Sequence, residues 1–245
     1  EAILEDVSRY GLPIWPESPT SDLLDDFNRS DGPAGENWHG SGQIIDQQYR
    51  AFSINDYWIT AYSDPVEVWC TIDGITDTDT TGPFVQILIG TNAYYRLKCP
   101  LGYTWPIGFW HALQLSHGTI SPPAETILET IAHNWESQSK IGLRLADDTL
   151  TAFIANPGGD WTQIITNGNT PYSGEKHISA IVSYAAQRID DFGGGQSTPI
   201  DTRGPWNQVA HAMGIEDLYP PPAPFNYGEA GELLFCVCAR LWRMG

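Results

Sequence analysis

The chain of 245 residues carries 30 acidic against 12 basic residues, a formal net charge of −18, and 41% of it is hydrophobic. That apolar and aromatic content is too high for a disordered chain and suffices for a core without disulfides or metals as staples. A surface this acidic repels phosphate backbones and anionic lipid heads, so neither nucleic-acid nor membrane binding is expected. No apolar run reaches the roughly 18 residues that would span a bilayer, and Glu1–Asp6 shows neither the basic nor the apolar stretch of a signal peptide.

Both ends differ from the middle. Residues 1–21 and 196–245 hold nine of the 18 prolines and carry nine acidic against four basic residues, leaving −13 on residues 22–195. The ends are therefore expected to be extended arms around a globular centre. In the N-terminal arm Ile3, Leu4 and Val7 form one apolar turn suited to docking on a partner.

The centre reads as short strands. The first candidate is Leu23–Gly32, followed by Asp56–Tyr62 and Val66–Ile72 on either side of Asp64-Pro65. Phe84–Ile89 and Ala93–Lys98 flank a Gly90-Thr-Asn92 turn, and Gly108–Leu115 comes next. Ala124–Trp135 has helical spacing at Ile127, Leu128, Ile131 and Trp135, so periodicity alone leaves helix and strand open. Ile141–Leu145 and Thr149–Ile154 enclose Asp147-Asp148, which marks a tight hairpin. Gly159–Ile165, His177–Tyr184 and Arg188–Phe192 complete the set. Many short strands at regular spacing imply a sandwich or barrel.

In the C-terminal arm Tyr219–Phe225 must be extended because proline fixes φ. Trp206 and Met213 fall on one side of a short helical pattern. The stretch Leu233–Trp242, with Leu234, Phe235, Leu241 and Trp242, is apolar and too short to span a membrane. Left exposed it would aggregate, so it calls for burial on the sandwich or in another subunit. Cys70 alternates with Val66, Val68 and Ile72 and reads as a buried thiol. Cys99 closes a strand, and Cys236 and Cys238 form a lone C-x-C without a second pair at zinc spacing. Four scattered cysteines suit assembly in a reducing compartment.

Several residue patterns taken together carry a resemblance. Asp25-Asp-Phe-Asn-Arg-Ser-Asp31 opens the centre, with Trp38 soon after, and Ile189-Asp-Asp-Phe-Gly193 closes it. Between them lie Gly142-Leu-Arg-Leu145, Asp148-Thr-Leu-Thr-Ala-Phe153 and Gly159-Asp-Trp-Thr162. This series resembles bacterial and phage members of the concanavalin A-like lectin/laminin G superfamily over residues 22–195. The resemblance implies an all-β fold, a two-sheet antiparallel jelly-roll sandwich with extended N- and C-terminal arms. It also implies that first and last strands run antiparallel side by side, with Phe27 and Phe192 as near neighbours in one sheet, each filling the core. Ala124–Trp135 is then a strand, and both arms leave from one end of the sandwich.

The chemistry is sparse. Superfamily members that hydrolyse β-glucans carry E-x-D-x-x-E on one strand. Here Glu67 lacks those partners, and Glu125 and Glu129 are expected only as two solvated carboxylates on one side of a strand. Ser137-Gln-Ser-Lys140 matches S-x-x-K without its companion motifs, and the six histidines show no ligand spacing. No phosphate-cradling glycine loop occurs, so no enzyme is expected. No cofactor is expected; the loop Asp73–Gly82 offers Asp73, Asp77 and Asp79 as a candidate seat for calcium, although loops of Asp, Thr and Gly are also common as plain turns. Trp105, Trp110 and Trp161 are candidate platforms for sugar rings, although aromatic packing accounts for most tryptophans in a two-sheet core.

The expectation is a non-enzymatic structural protein of a larger assembly. Because the resemblance runs to phage members, the assembly is a virion put together in the host cytoplasm. The chain would be a capsid decoration, cement or fibre component, its arms laid across capsid or tail subunits or across copies of itself. The alternative is an extracellular carbohydrate-binding module for glycan adhesion.

Overall fold

Two tight turns set the register of the larger sheet. At Asp46-Gln47 (φ 54° and 62°) and at Asp147-Asp148 (φ 47° and 55°) two consecutive residues are left-handed. Left-handed backbone at both central positions is what a two-residue hairpin needs to match the twist of its strands, and aspartate tolerates it better than most residues. Both turns lie in a computed structural model that describes residues 15–50, 53, 55–74, 82–104, 108–182 and 187–199, with backbone alone at 101–104 and 108–110. Pro16–Thr198 forms one compact unit.

Among the described residues the strands are β1 (Leu23–Asp25), β2 (Gly32–Pro33), β3 (Trp38–His39), β4 (Gln43–Ile45), β5 (Gln48–Arg50), β6 (Tyr57–Trp58), β7 (Val66–Asp73), β8 (Phe84–Ile89) and β9 (Ala93–Lys98). They continue with β10 (Leu101–Thr104), β11 (Gly108–Thr119), β12 (Ala124–Ala132), β13 (Lys140–Ala146), β14 (Thr149–Ala155), β15 (Thr162–Asn167), β16 (Lys176–Ile181) and β17 (Arg188–Gln196). A nine-stranded sheet runs β15-β14-β13-β7-β17-β5-β4-β2, with β1 also on β17. A six-stranded sheet runs β10-β11-β9-β8-β16, with β12 also on β11. β3 and β6 form a small third ladder. All strand pairs are antiparallel. The architecture is the expected antiparallel sandwich.

Alternation fills the core. In β7 the residues Val66, Val68, Cys70 and Ile72 are fully buried, and they pair with Leu145, Leu143 and Ile141 of β13 and with Phe192 and Ile189 of β17. Val85, Ile87, Tyr95, Leu97, Leu113 and Ile178 of the smaller sheet belong to the same apolar cluster. A strand-period pattern can bury one face in this way only if every neighbour keeps register. Burial of each large aliphatic side chain contributes about 1.5–3 kcal/mol.

First and last strands lie side by side, with Leu23 opposite Gly193 and Asp25 opposite Phe192. Phe27 and Phe192 are both completely buried, and Trp38 lies against each, at ring-centroid distances of 5.9 and 4.8 Å. Tyr49 stacks on Phe27 (5.1 Å) and on Trp38 (4.2 Å). The two phenylalanines are thus joined through one indole, and Phe27 itself lies beyond the end of β1 with φ 51°.

Two expected strands are shorter than their sequence runs. Leu23–Gly32 is a strand only to Asp25, because the Asp25 carboxylate accepts the Phe27 amide and both terminal nitrogens of Arg29, bending the chain into a loop. Asp56–Tyr62 forms only β6 and an isolated bridge between Tyr62 and Lys176. Ala124–Ala132 is a strand, since pairing along β11 overrides its helical spacing.

Candidate functional site

The face of β7 turned away from the core carries Glu67, Trp69, Thr71 and Asp73, and a short strap lies across part of it. Glu67 sits directly opposite Arg144 of β13. Both are at most 1% exposed, and Arg144 Nη2 lies 2.8 Å from Glu67 Oε2. Two charges so far from water need further partners. The strap supplies them from its main chain. Arg144 donates to the carbonyls of Pro16 (2.7 Å) and Ser18 (2.6 Å), and the amides of Thr20 and Ser21 donate to Glu67 Oε1. The Ser197 hydroxyl donates to Glu67 Oε2 at 3.0 Å. Residues 16–21, assigned from sequence to the N-terminal arm, are therefore bonded to the large sheet.

Small residues make room for this layer. A Cβ on Gly142 would stand 3.2 Å from Pro19 Cγ, and one on Gly193 would collide with the Trp69 indole. Trp69 Nε1 donates to the Ser21 carbonyl at 3.3 Å, and the Arg144 guanidinium lies over the buried Phe153 ring at 4.8 Å. Four of these contacts from the ion pair to the strap are to main chain, and the Thr20 hydroxyl adds a fifth at 3.3 Å from Glu67 Oε1.

A second cluster lies on the outward face of the smaller sheet. Arg96 is sandwiched between the Phe84 ring (4.2 Å) and the Tyr94 ring (4.0 Å), and it donates through Nη2 to Gln86 (2.9 Å). Burial lowers its affinity for its proton, opposed by the nearby Tyr94 and Glu125. Glu125 accepts from Lys98 (3.0 Å) and Ser116 (2.7 Å). Burial alone would raise the Glu125 carboxyl, but these partners hold it below its ordinary value. The sequence reading of Glu125 and Glu129 on one side needs correction. Glu125 pairs with Gly118 and Glu129 with Leu115, and the register slips between them, so they lie on opposite faces.

Among the candidate calcium ligands only Asp73 is described. It accepts from the Ser137 hydroxyl, the Gln48 amide (2.7 Å) and the Gly74 amide (2.9 Å). Burial would raise its carboxyl, but the donors prevail and hold it below the usual range. Asp77 and Asp79 lie outside the described residues, and no group of three or more potential metal ligands occurs among the described ones. Trp161 is half-buried and meets Trp69 edge-on at 6.5 Å. Trp105 lies outside the described residues, as do the side chain of Trp110 and the arm residues Ile3, Leu4, Val7, Trp206, Met213, Leu234, Phe235, Leu241 and Trp242.

An open cleft of about 290 Å³ lies beside the opening motif, lined by Asp25, Arg29, Glu36, Asn37 and Trp58 among others. The motif's polar groups are largely engaged with one another: Asp25 holds Arg29 at 2.6 Å and accepts from Trp38 Nε1 at 3.0 Å. Cys70 and Cys99 are buried free thiols, pushed up by loss of solvation. Sequence reasoning missed Arg144 and the strap altogether. The one local signal was an arginine alternating with core aliphatics in Gly142-Leu-Arg-Leu145, a position that must face away from the core.

No protein-family model matches the chain, and no curated protein matches it in sequence. Solved structures do share its fold. The carbohydrate recognition domain of Emp47p superposes with a TM-score of 0.51 at 12% identity, over 72% of this chain and 95% of that domain. Xylan beta-1,4-xylosidase from Bacillus halodurans C-125 gives 0.50 at 14% identity over 75% of this chain, which spans only 41% of the enzyme. The CBM2 module of the evolved Dit protein of Lactobacillus casei BL23 phage J-1 gives 0.46 at 10% identity. At these identities the first two likenesses establish the lectin-type β-sandwich fold and nothing of activity.

Proposed function

We propose that this chain is a non-enzymatic structural module, built on a concanavalin A-like sandwich and held in a larger assembly through its terminal arms. One observation carries the reading: the two ends of the sandwich meet at a single buried carboxylate. Glu67 accepts from Thr20 and Ser21 on the N-terminal side and from Ser197 on the C-terminal side. Two proline-rich arms starting from one place would form one anchor and leave the acidic sandwich to face solvent. Extended arms reach the about 1,200–2,000 Å² of buried surface that a stable interface needs without a large rigid contact. A phage virion is the assembly that the D-x-F-N-R-x-D and I-D-x-F patterns point to, with capsid or tail subunits as partners. The engagement of both Glu67 oxygens argues against a hydrolytic role for that carboxylate.

The test is the oligomeric mass of the full chain beside that of residues 16–198, by sedimentation or light scattering. Self-association, or a need for a partner, in the full chain and a monomeric 16–198 unit is the expected result. Two equally soluble monomers would overturn it.

A second reading, a carbohydrate-binding module, is favoured by the likeness to the Emp47p carbohydrate recognition domain, which 95% of that domain shares. A glycan array probed with the full chain tests it, and specific sugar affinity in a monomer would place this reading first.

A further inference from the structure

Tyr49 is 0% exposed and its hydroxyl has no hydrogen-bond partner among the described residues. Asp56 is 1% exposed. Its Oδ1 accepts the Ser41 amide at 2.9 Å, while its Oδ2 is buried and has no partner among the described residues. The two unmatched groups press on the same three residues. A Cβ on Gly42 would collide with the Tyr49 hydroxyl, and one on Gly40 would collide with the Asp56 carboxylate. Gly40 and Gly42 therefore cradle both groups, with the Ser41 amide between them. Their closeness is felt electrostatically, since the negative charge of Asp56 adds to burial in pushing the Tyr49 phenol up.

Leaving either group unmatched costs about 1–3 kcal/mol, and more for a charge. The needs are complementary: the phenol has a proton to give, and Oδ2 has a lone pair to fill. Yet the two make no hydrogen bond to each other. A cation would satisfy Oδ2 but leave the phenolic proton without an acceptor. A water molecule satisfies both, accepting from Tyr49 and donating to Asp56, and internal waters need only about two to four polar partners. We infer that the Gly40–Gly42 loop, Tyr49 and Asp56 form a built site for one internal water molecule. This water fastens the aromatic cluster of Phe27, Trp38 and Tyr49 to the Asp56 segment, whose carbonyl in turn holds the Ser179 hydroxyl of β16. It links the two sheets at a place where no strand pairing does.

Two measurements on the full chain test this. A crystal structure that resolves ordered solvent is expected to show one peak within about 2.7–3.2 Å of both Tyr49 Oη and Asp56 Oδ2. Oxygen-17 relaxation dispersion is expected to count one long-lived internal water fewer in Tyr49→Phe than in the parent chain. An absent peak, a direct Tyr49–Asp56 hydrogen bond, or an unchanged water count would overturn the inference. So would a peak with six or more oxygens at about 2.3–2.6 Å, which marks calcium. Should Tyr49→Phe fail to fold, the structure of the parent chain decides alone.

Discussion

Glu67 and Arg144 face each other across β7 and β13, 2.8 Å apart and out of contact with water, and between them they bind four main-chain groups of the Pro16–Ser21 strap. Breaking such a pair by removing one partner costs about 3–5 kcal/mol, whereas replacing both with apolar residues is often neutral. Here the strap changes that expectation. Glu67→Gln and Arg144→Met should each lower the unfolding free energy by about 3–5 kcal/mol. The double replacement Glu67→Leu with Arg144→Met should recover only part of the loss, because two carbonyls and two amides of the strap are left without partners. Urea titration of the four chains checks this, and full recovery in the double variant would show that the strap bonds contribute little.

Ser197 bonds the same carboxylate from the other end of the chain. Ser197→Ala should cost about 1.5–3 kcal/mol, the range for a hydrogen bond to a charged group. It should also speed hydrogen exchange at the Thr20 and Ser21 amides, which bond the other oxygen of that carboxylate. Unchanged exchange there would mean that the two ends are held independently.

The Trp69 indole occupies the space that a side chain on Gly193 would need. Gly193→Ala should therefore destabilise the sandwich by about 1–3 kcal/mol, the usual cost of overpacking. Adding Trp69→Ala should relieve the clash but remove the cover from β17. A double-mutant cycle measures the coupling, and additive effects would contradict the contact.

Acid stability should depend on Asp73 and Glu125. Both carboxyls sit below their ordinary values in the folded chain. The stability they contribute is present above the unfolded carboxyl range, near pH 4, and is lost as pH falls through the lower folded values. Asp190 acts in the opposite sense, because burial and the neighbouring Asp191 and Asp73 raise it. Asp73→Asn and Glu125→Gln should each flatten the fall in stability below about pH 4. Unfolding midpoints measured between about pH 2 and 6 check this, and a profile as steep as the parent's would rule out both carboxyls as its source.

Cys70 and Cys99 are both 0% exposed, and loss of solvation raises both thiols. In a chain carrying Cys236→Ser and Cys238→Ser, a thiol reagent should find no reactive group until denaturant is added, since the thiolate is the reacting form. Rapid labelling of the native chain would show that the core opens locally at one of these strands.

The sequence by itself determined the class of fold and most strand positions, because alternation in Val66–Ile72, Ile141–Leu145 and Thr149–Ile154 is local information. The Asp147-Asp148 turn was legible for the same reason: its backbone demand falls on two adjacent residues. The burial of Phe27 and Phe192 was legible through the opening and closing patterns, but Phe27 lies past the end of β1, outside the sheet, and is joined to Phe192 through Trp38. Tertiary structure decided what local pattern could not carry. Ala124–Ala132 became a strand because β11 offers it a partner, and the register slip within that pair separated Glu125 from Glu129. Glu67, unremarkable in sequence, acquired Arg144 from 77 residues away, Thr20 from 47 and Ser197 from 130. A buried charge takes its partners from whatever the fold places beside it, so their identity is a property of the packed sheets and not of any window of sequence.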